Sequence, residues 1–265
     1  ELPTYNKQIQ ITQQLLNFKD LKISQYHAVS IPKDQEVIKK LHEMGRNGLS
    51  PTKIISYVKC PLQFYLKNIA KIKEPDEPME VIDERTIGLV IHHILEDFYR
   101  PYVGKVFPYD ELKRLLNEVP EILADYFKKA DFKGKLDEGS NYLSYKDTEY
   151  YLKQFIKYEI KKAEKEAMPL KVIAVEKKLE RAISIKNVDS QVIIRGIADR
   201  IDEINGELRI LDYKTGTVDA RHVRIPKYTN DDPINKIFYK ADYDKTLQLF
   251  IYDWMYKKES DMVSQ

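Results

Sequence analysis

Two short stretches hold acids and a lysine at a spacing that could do chemistry: Gly196-Ile197-Ala198-Asp199 and Ile210-Leu211-Asp212-Tyr213-Lys214. Between them sits Asn205-Gly206. That pair is the strongest short hairpin signal, because a type I′ turn needs positive φ at both central residues. With the turn there, Ile204 faces Glu207, and the same register puts Asp199 directly opposite Asp212. Opposed residues have Cβ atoms about 4.5–5.5 Å apart, and like charges at that distance are destabilising. Lys214 lies two residues beyond Asp212 and so points to the same face. A divalent metal would relieve the repulsion, and the lysine would sit beside the water such a metal activates. Spacing alone leaves a second reading open, a solvated hairpin whose lysine bridges two acids. The neighbouring pair, Asp202 opposite Arg209, reads as an ordinary cross-strand ion pair.

The hard cations Mg²⁺ and Mn²⁺ prefer carboxylate oxygens. Either would lower the pKa of water and neutralise charge on a phosphate, while an ammonium nearby stabilises developing negative charge. Further ligands have to come from elsewhere in the chain. His92 and His93 adjoin on one apolar-periodic stretch. At ~3.6 residues per turn, His93 points away from the apolar stripe and His92 lies at its edge, beside Gly88, Leu95 and Tyr99. His92 is therefore the better ligand candidate, against the plainer reading of a half-buried helix histidine. Glu176, in Val175-Glu176-Lys177, is a further ligand or a strand-surface acid. Gln248 and Tyr252 are four apart and share a helix face, which alone assigns them nothing.

Other chemistries lack their signatures. There is no Gly-rich phosphate loop, no His-Glu-x-x-His and no Gly-x-Ser-x-Gly elbow. A single cysteine, Cys60, excludes an intramolecular disulfide and a four-cysteine zinc site within the chain. Net charge is +2 with 32% charged residues, a mixed surface that neither demands nor excludes nucleic acid. The 43% apolar content supports a real core. No apolar run approaches the ~18 residues of a membrane span, no signal peptide is visible, and a reducing, cytoplasmic setting is expected. A start at Glu1 suggests an excised domain. Nineteen tyrosines suit helix faces and base stacking alike.

The elements that must position these residues follow from pattern. Residues 1–48 are expected to be a linker or the tail of an upstream domain, with a short strand near Ile9–Thr12 and a helix over 34–45. Ser50-Pro51 is an N-cap followed by a first-turn proline. A short helix Pro61–Ile69 comes next, and 71–84 reads as a loop. A helix is predicted from Thr86 to Tyr102, then long amphipathic helices over 109–130 and 142–166. Strands follow at Val172–Ile185, Val192–Ile204 and Glu207–Lys214. Residues 217–240 read as an exposed, mobile loop, and a last helix as Lys245–Lys257. The pattern is mixed α/β.

In order, these pieces resemble the PD-(D/E)XK nuclease superfamily in its RecB/AddB-like branch. The carriers are Leu49-Ser50-Pro51 with Tyr57-Val58-Lys59-Cys60-Pro61-Leu62-Gln63-Phe64-Tyr65, then Gly88-Leu89-Val90-Ile91-His92, then Gly196 through Asp202, Asp212 through Gly216, and Gln248 with Tyr252. The resemblance covers about 49–256. It implies a restriction-endonuclease-like α/β fold, a mixed central sheet flanked by helices, occupying 49–265 with a helical insertion at about 105–168. It implies Mg²⁺ or Mn²⁺ on His92, Asp199, Asp212 and the Tyr213 carbonyl, with Lys214 positioning the water. Asp199, Asp212 and Glu176 complete the catalytic set, and Gln248 and Tyr252 support the site and the DNA. The implied activity is a DNA exonuclease within a helicase–nuclease repair or recombination protein, with a helicase domain or subunit as companion and no membrane. A DNA-binding scaffold with a vestigial site and an RNA or structure-specific nuclease are the alternatives. Two departures stand out. Many relatives in this branch hold a [4Fe–4S] cluster, and with Cys60 alone no complete cluster can form on this chain. A core strand usually follows the last helix, and little sequence remains for it, so truncation at the C-terminal end is expected.

Overall fold

The computed structural model describes residues 30–72, 82–129, 134–166, 169–186, 188, 190–225 and 233–263. The strand expected near Ile9–Thr12 lies outside them. Helix α1 is Gln35–Asn47, capped by Asp34, whose side chain accepts from Val37 N. Helix α2 is Pro51–Lys59, with Ser50 Oγ accepting from Lys53 N and Pro51 at the first position. Helix α3, Pro61–Phe64, runs into a π-turn at Tyr65–Ile69. Cys60 Sγ accepts from Gln63 N at 3.4 Å, so this thiol caps α3. Helices α4 (Glu84–Tyr99), α5 (Asp110–Lys129) and α6 (Gly139–Glu166) follow.

Strands β1 (Leu170–Ile183), β2 (Val192–Ile204) and β3 (Glu207–Leu211) form an antiparallel meander in the order β1-β2-β3. The Asn205-Gly206 turn has φ of 54° and 79°, the left-handed pair that a type I′ turn requires. Leu49 adds one parallel bridge to Ile194. The described residues of 217–240, expected to be a loop, include two helical segments, a 3₁₀ turn at Ala220–Val223 and helix α7, Pro233–Tyr239, whose Ile237 is buried. Residues 226–232 lie outside the description. Helix α8 is Asp244–Val263.

The sheet is flanked by helices on both faces, the mixed α/β architecture expected of a restriction-endonuclease-like core. On one side α4, α5 and α6 bury Ile94, Leu95, Leu112, Leu123 and Ile156 against Leu170 and Val172. On the other, Ile55 of α2 and Leu247, Ile251 and Met255 of α8 pack on Leu179, Ala198 and Ile201. Among the described residues no helix is long and apolar enough to cross a membrane.

Candidate active site

The β2–β3 ladder pairs Ile204 with Glu207 and Arg200 with Leu211. One step further, where β3 ends, the same register places Asp199 against Asp212. The backbone there is tied to the side chains. Tyr213 N donates to Asp199 Oδ2, and the Tyr213 carbonyl lies 3.0 Å from His92 Nε2. His92 Nδ1 lies 3.5 Å from Asp199 Oδ1. Each imidazole nitrogen thus faces an oxygen. The hydrogen bond with Asp199 holds the ring's pKa above its ordinary value, against the opposing effect of burial. His92 reaches this position from α4 because the helix can approach closely. A Cβ on Gly88 would lie 3.3 Å from Thr215 Oγ1, just past the lysine.

β2 changes face at this point. Gly196 and Ala198 face α8, yet Arg200, again two residues on, turns to Glu159 of α6. A regular strand keeps i and i+2 on one side. On β1 the matching step is Glu176, bracketed by Val175↔Arg200 and Lys177↔Ala198. Its φ is 49°, left-handed and unusual for glutamate. The distortion brings Glu176 into the site, and one ligand atom each from His92, Glu176 and Asp199 lie within 4.8 Å of one another. Burial first, and then the charge of Asp199, raise the Glu176 carboxyl pKa.

Asp212 stands beside this trio and is not within it. Lys214 Nζ pairs with Asp212 Oδ2. Gln248 Nε2 donates to Asp212 Oδ1 at 2.9 Å and lies 3.1 Å from the Tyr252 hydroxyl. Burial raises the Asp212 pKa and the Lys214 ammonium opposes it. The Tyr252 hydroxyl, pushed up to about 12 chiefly by burial, stays protonated. All the residues singled out in the sequence therefore converge here: His92, Glu176, Asp199, Asp212, Tyr213, Lys214, Gln248 and Tyr252.

The donor set, carboxylates with one imidazole and a carbonyl in reach, suits a hard divalent cation. Glu176 and Asp212 are both raised first by burial and further by the charge of Asp199, and a cation would relieve that repulsion. The set fits the expected metal.

Sequence reasoning missed what stands behind the site. Asp202 and Arg209 do form the expected cross-strand ion pair, at 2.7 and 2.9 Å, but Asp202 is fully buried and Arg200 Nε also lies 2.9 Å from it. Arg200 is also fully buried, 2.8 Å from Glu159 and with its guanidinium 4.2 Å from the Tyr99 ring centroid. One signal was available: Glu159 falls on the apolar stripe of α6, in step with Leu152, Ile156 and Ala163, where a lone carboxylate needs a buried cation.

Comparison with known proteins identifies the family. The sequence model of the PD-(D/E)XK nuclease superfamily matches residues 48–265. An uncharacterized protein of Rickettsia conorii is 30% identical over 182 residues, 65% of this chain and 20% of that protein. One of Rickettsia bellii is 29% identical over 176 residues, 66% of this chain and 19% of its own length. The chain thus spans about a fifth of the length of these curated relatives.

Proposed function

We propose that this chain, which belongs to the PD-(D/E)XK nuclease superfamily, is a Mg²⁺- or Mn²⁺-dependent deoxyribonuclease. Membership makes it a metal-dependent nuclease; DNA as substrate, exonuclease action and the choice of metal are our reading. The observation that carries it is Lys214 paired to Asp212 beside the His92, Glu176 and Asp199 ligand atoms. A scaffold has no use for opposed acids.

In this reading His92, Asp199, Asp212 and the Tyr213 carbonyl would hold the cation, with Glu176 assisting, and the His92 ring would give up a proton and one of its two oxygen contacts to do so. Both Asp212 oxygens already accept a hydrogen bond, but each has a second lone pair. When bound, the cation lowers the pKa of water and neutralises phosphate charge. Lys214 orients the attacking water and stabilises negative charge as it develops on the phosphate. Water gives up one proton to solvent as its oxygen attacks phosphorus in line with the leaving oxygen, the P–O bond to that oxygen breaks, and the leaving oxygen takes up a proton from solvent. Gln248 and Tyr252 fix the Asp212 carboxylate. A helicase domain or subunit elsewhere in the full protein, a role in repair or recombination and a cytoplasmic setting belong to the same proposal.

The test is hydrolysis of linear DNA by the purified chain with Mg²⁺ or Mn²⁺. Turnover should be lost with chelator and in Asp212→Ala. An Asp212→Ala variant that cuts as fast as the parent overturns the mechanism. Unimpaired DNA binding without metal-dependent turnover in the full-length protein returns the site to a scaffold.

A further inference from the structure

A trough along the exposed side of α4 starts at the candidate ligands, and the proposed chemistry leaves it unused. Two adjoining cavities form it. The nearer, about 310 Å³, is bounded by His92 and Glu176 and continues past Arg85, Leu89, His93 and Glu96. The farther, about 440 Å³, shares Leu89, His93 and Glu96 and ends against Asp97, Tyr126 and Lys129. Each volume is within the usual range of small-ligand sites, ~300–1,000 Å³. Leu89, His93 and Glu96 follow Arg85 by four, eight and eleven residues, which is one face of a helix.

The lining selects among the parts of a nucleic acid. Leu89 is an apolar side chain left 50% exposed beside a charged site. Tyr126 lines the far cavity, with Lys129 Nζ 5.0 Å from its ring centroid. Its hydroxyl donates to Asp97, and Glu96 pairs with Arg100. Carboxylates repel phosphate, yet they accept hydrogen bonds from the exocyclic amino groups of bases. Apolar and aromatic surfaces take base faces of any sequence. The acids and the apolar groups thus favour the same guest, a base rather than a phosphate. Arg85 lines only the nearer cavity and Lys129 only the farther, so a cation is available to the backbone in each.

We propose that this trough is a nucleobase subsite that receives unpaired bases of single-stranded DNA next to the scissile phosphate. The inference rests on the nuclease reading, because continuity with His92 and Glu176 is what places the occupant. Paired, stacked bases present no free face to Leu89 or Tyr126, so the site selects single strands over duplex.

The test uses the purified chain and a half-exposed position. Binding of a labelled single-stranded oligonucleotide and of the same strand in a blunt duplex is measured by anisotropy in Ca²⁺. Cleavage of the oligonucleotide and of bis(4-nitrophenyl) phosphate, a diester without bases, is measured in Mn²⁺. The single strand should bind about tenfold more tightly than the duplex, and Leu89→Ser, which removes the apolar surface without adding charge, should remove most of that difference. Its loss of kcat/KM on the oligonucleotide should exceed its loss on the small diester about tenfold. Equal binding of single strand by parent and Leu89→Ser, or equal binding of single strand and duplex by the parent, overturns the subsite. Hydrolysis of the small diester that survives Asp212→Ala overturns the nuclease reading instead, and the binding arm still decides the trough.

Discussion

Glu176 stands across from Asp199 at the step where β2 changes face, and it does so with a left-handed backbone, φ 49°. A non-glycine residue in that region costs about 1–2 kcal/mol, and asparagine is among the residues that tolerate it. The Glu176 carboxyl is also half-buried against a second acid. Glu176→Asn should therefore stabilise the protein without added metal by about 1 kcal/mol, a rise in Tm of about 2–4 °C for a domain of this size. The same change should shrink the further rise in Tm produced by Mn²⁺. Thermal scans with and without Mn²⁺ check both signs, and a lower Tm in the absence of metal would count against strain at this residue.

Gly196 precedes Asp199 by three, and its reason for being glycine is on the opposite helix. A Cβ there would lie 2.6 Å from Tyr252 Cε1, 3.3 Å from Pro51 Cδ and 3.4 Å from Met255 Cε. Such overpacking costs about 1–3 kcal/mol. The displaced ring carries its hydroxyl away from Gln248, which holds Asp212. Gly196→Ala should lower the urea midpoint and reduce nuclease kcat by more than it changes DNA affinity. Tyr252→Phe, which keeps the ring, should retain the stability. A Gly196→Ala protein of parental stability would mean that the α8 contact yields easily.

Much of this geometry was legible because single residues dictate it. Asn205-Gly206 fixes the turn, the turn fixes the register, and the register opposes Asp199 to Asp212. Helix periodicity likewise put His92 at the edge of a buried stripe. The rest depended on long-range packing. Nothing in Val175-Glu176-Lys177 announces a left-handed glutamate, since the distortion arises where two strands and α4 meet. The Asp202–Arg209 pair is legible as a cross-strand contact, but its burial is not, because that depends on α6 delivering Glu159 to Arg200, which in turn meets Asp202. Residues 217–240 lack an apolar period, yet Ile237 finds a place under α8 and draws α7 into the core.

Two acids away from the ligand cluster contribute stability that is lost in acid. Asp83 Oδ1 accepts from Thr86 N at 2.7 Å at the start of α4, and its hydrogen bonds to Thr86 lower its pKa. Asp244 is buried, which raises its pKa, but Lys59 at 2.6 Å, together with Lys245, brings it below the ordinary value. A pKa lowered by folding stabilises the native state above the unfolded value, ~3.9, and that contribution disappears as pH falls through the folded value. Asp83→Ala should cost about 1 kcal/mol at pH 7 as a lost cap. Its gap from the parent should narrow below about pH 4. Urea titrations at neutral and acid pH check this, and a gap that widens in acid would contradict the assignment.

Lys214 separates metal binding from turnover. Its ammonium is paired to Asp212 Oδ2 and remains partly exposed to the site. In Lys214→Met that oxygen is freed and the site loses one positive charge, so a divalent cation should bind at least as tightly as in the parent. The stabilisation of charge developing on the phosphate is lost at the same time. Loss of one such donor costs about 10²–10³ in kcat. Isothermal titration with Mn²⁺ should therefore show unchanged or tighter binding, while cleavage of DNA falls by about two orders of magnitude or more. If metal binding collapses with the lysine, its role is to hold Asp212 in place. If cleavage persists, the water is oriented by another group and the catalytic part assigned to Lys214 is wrong.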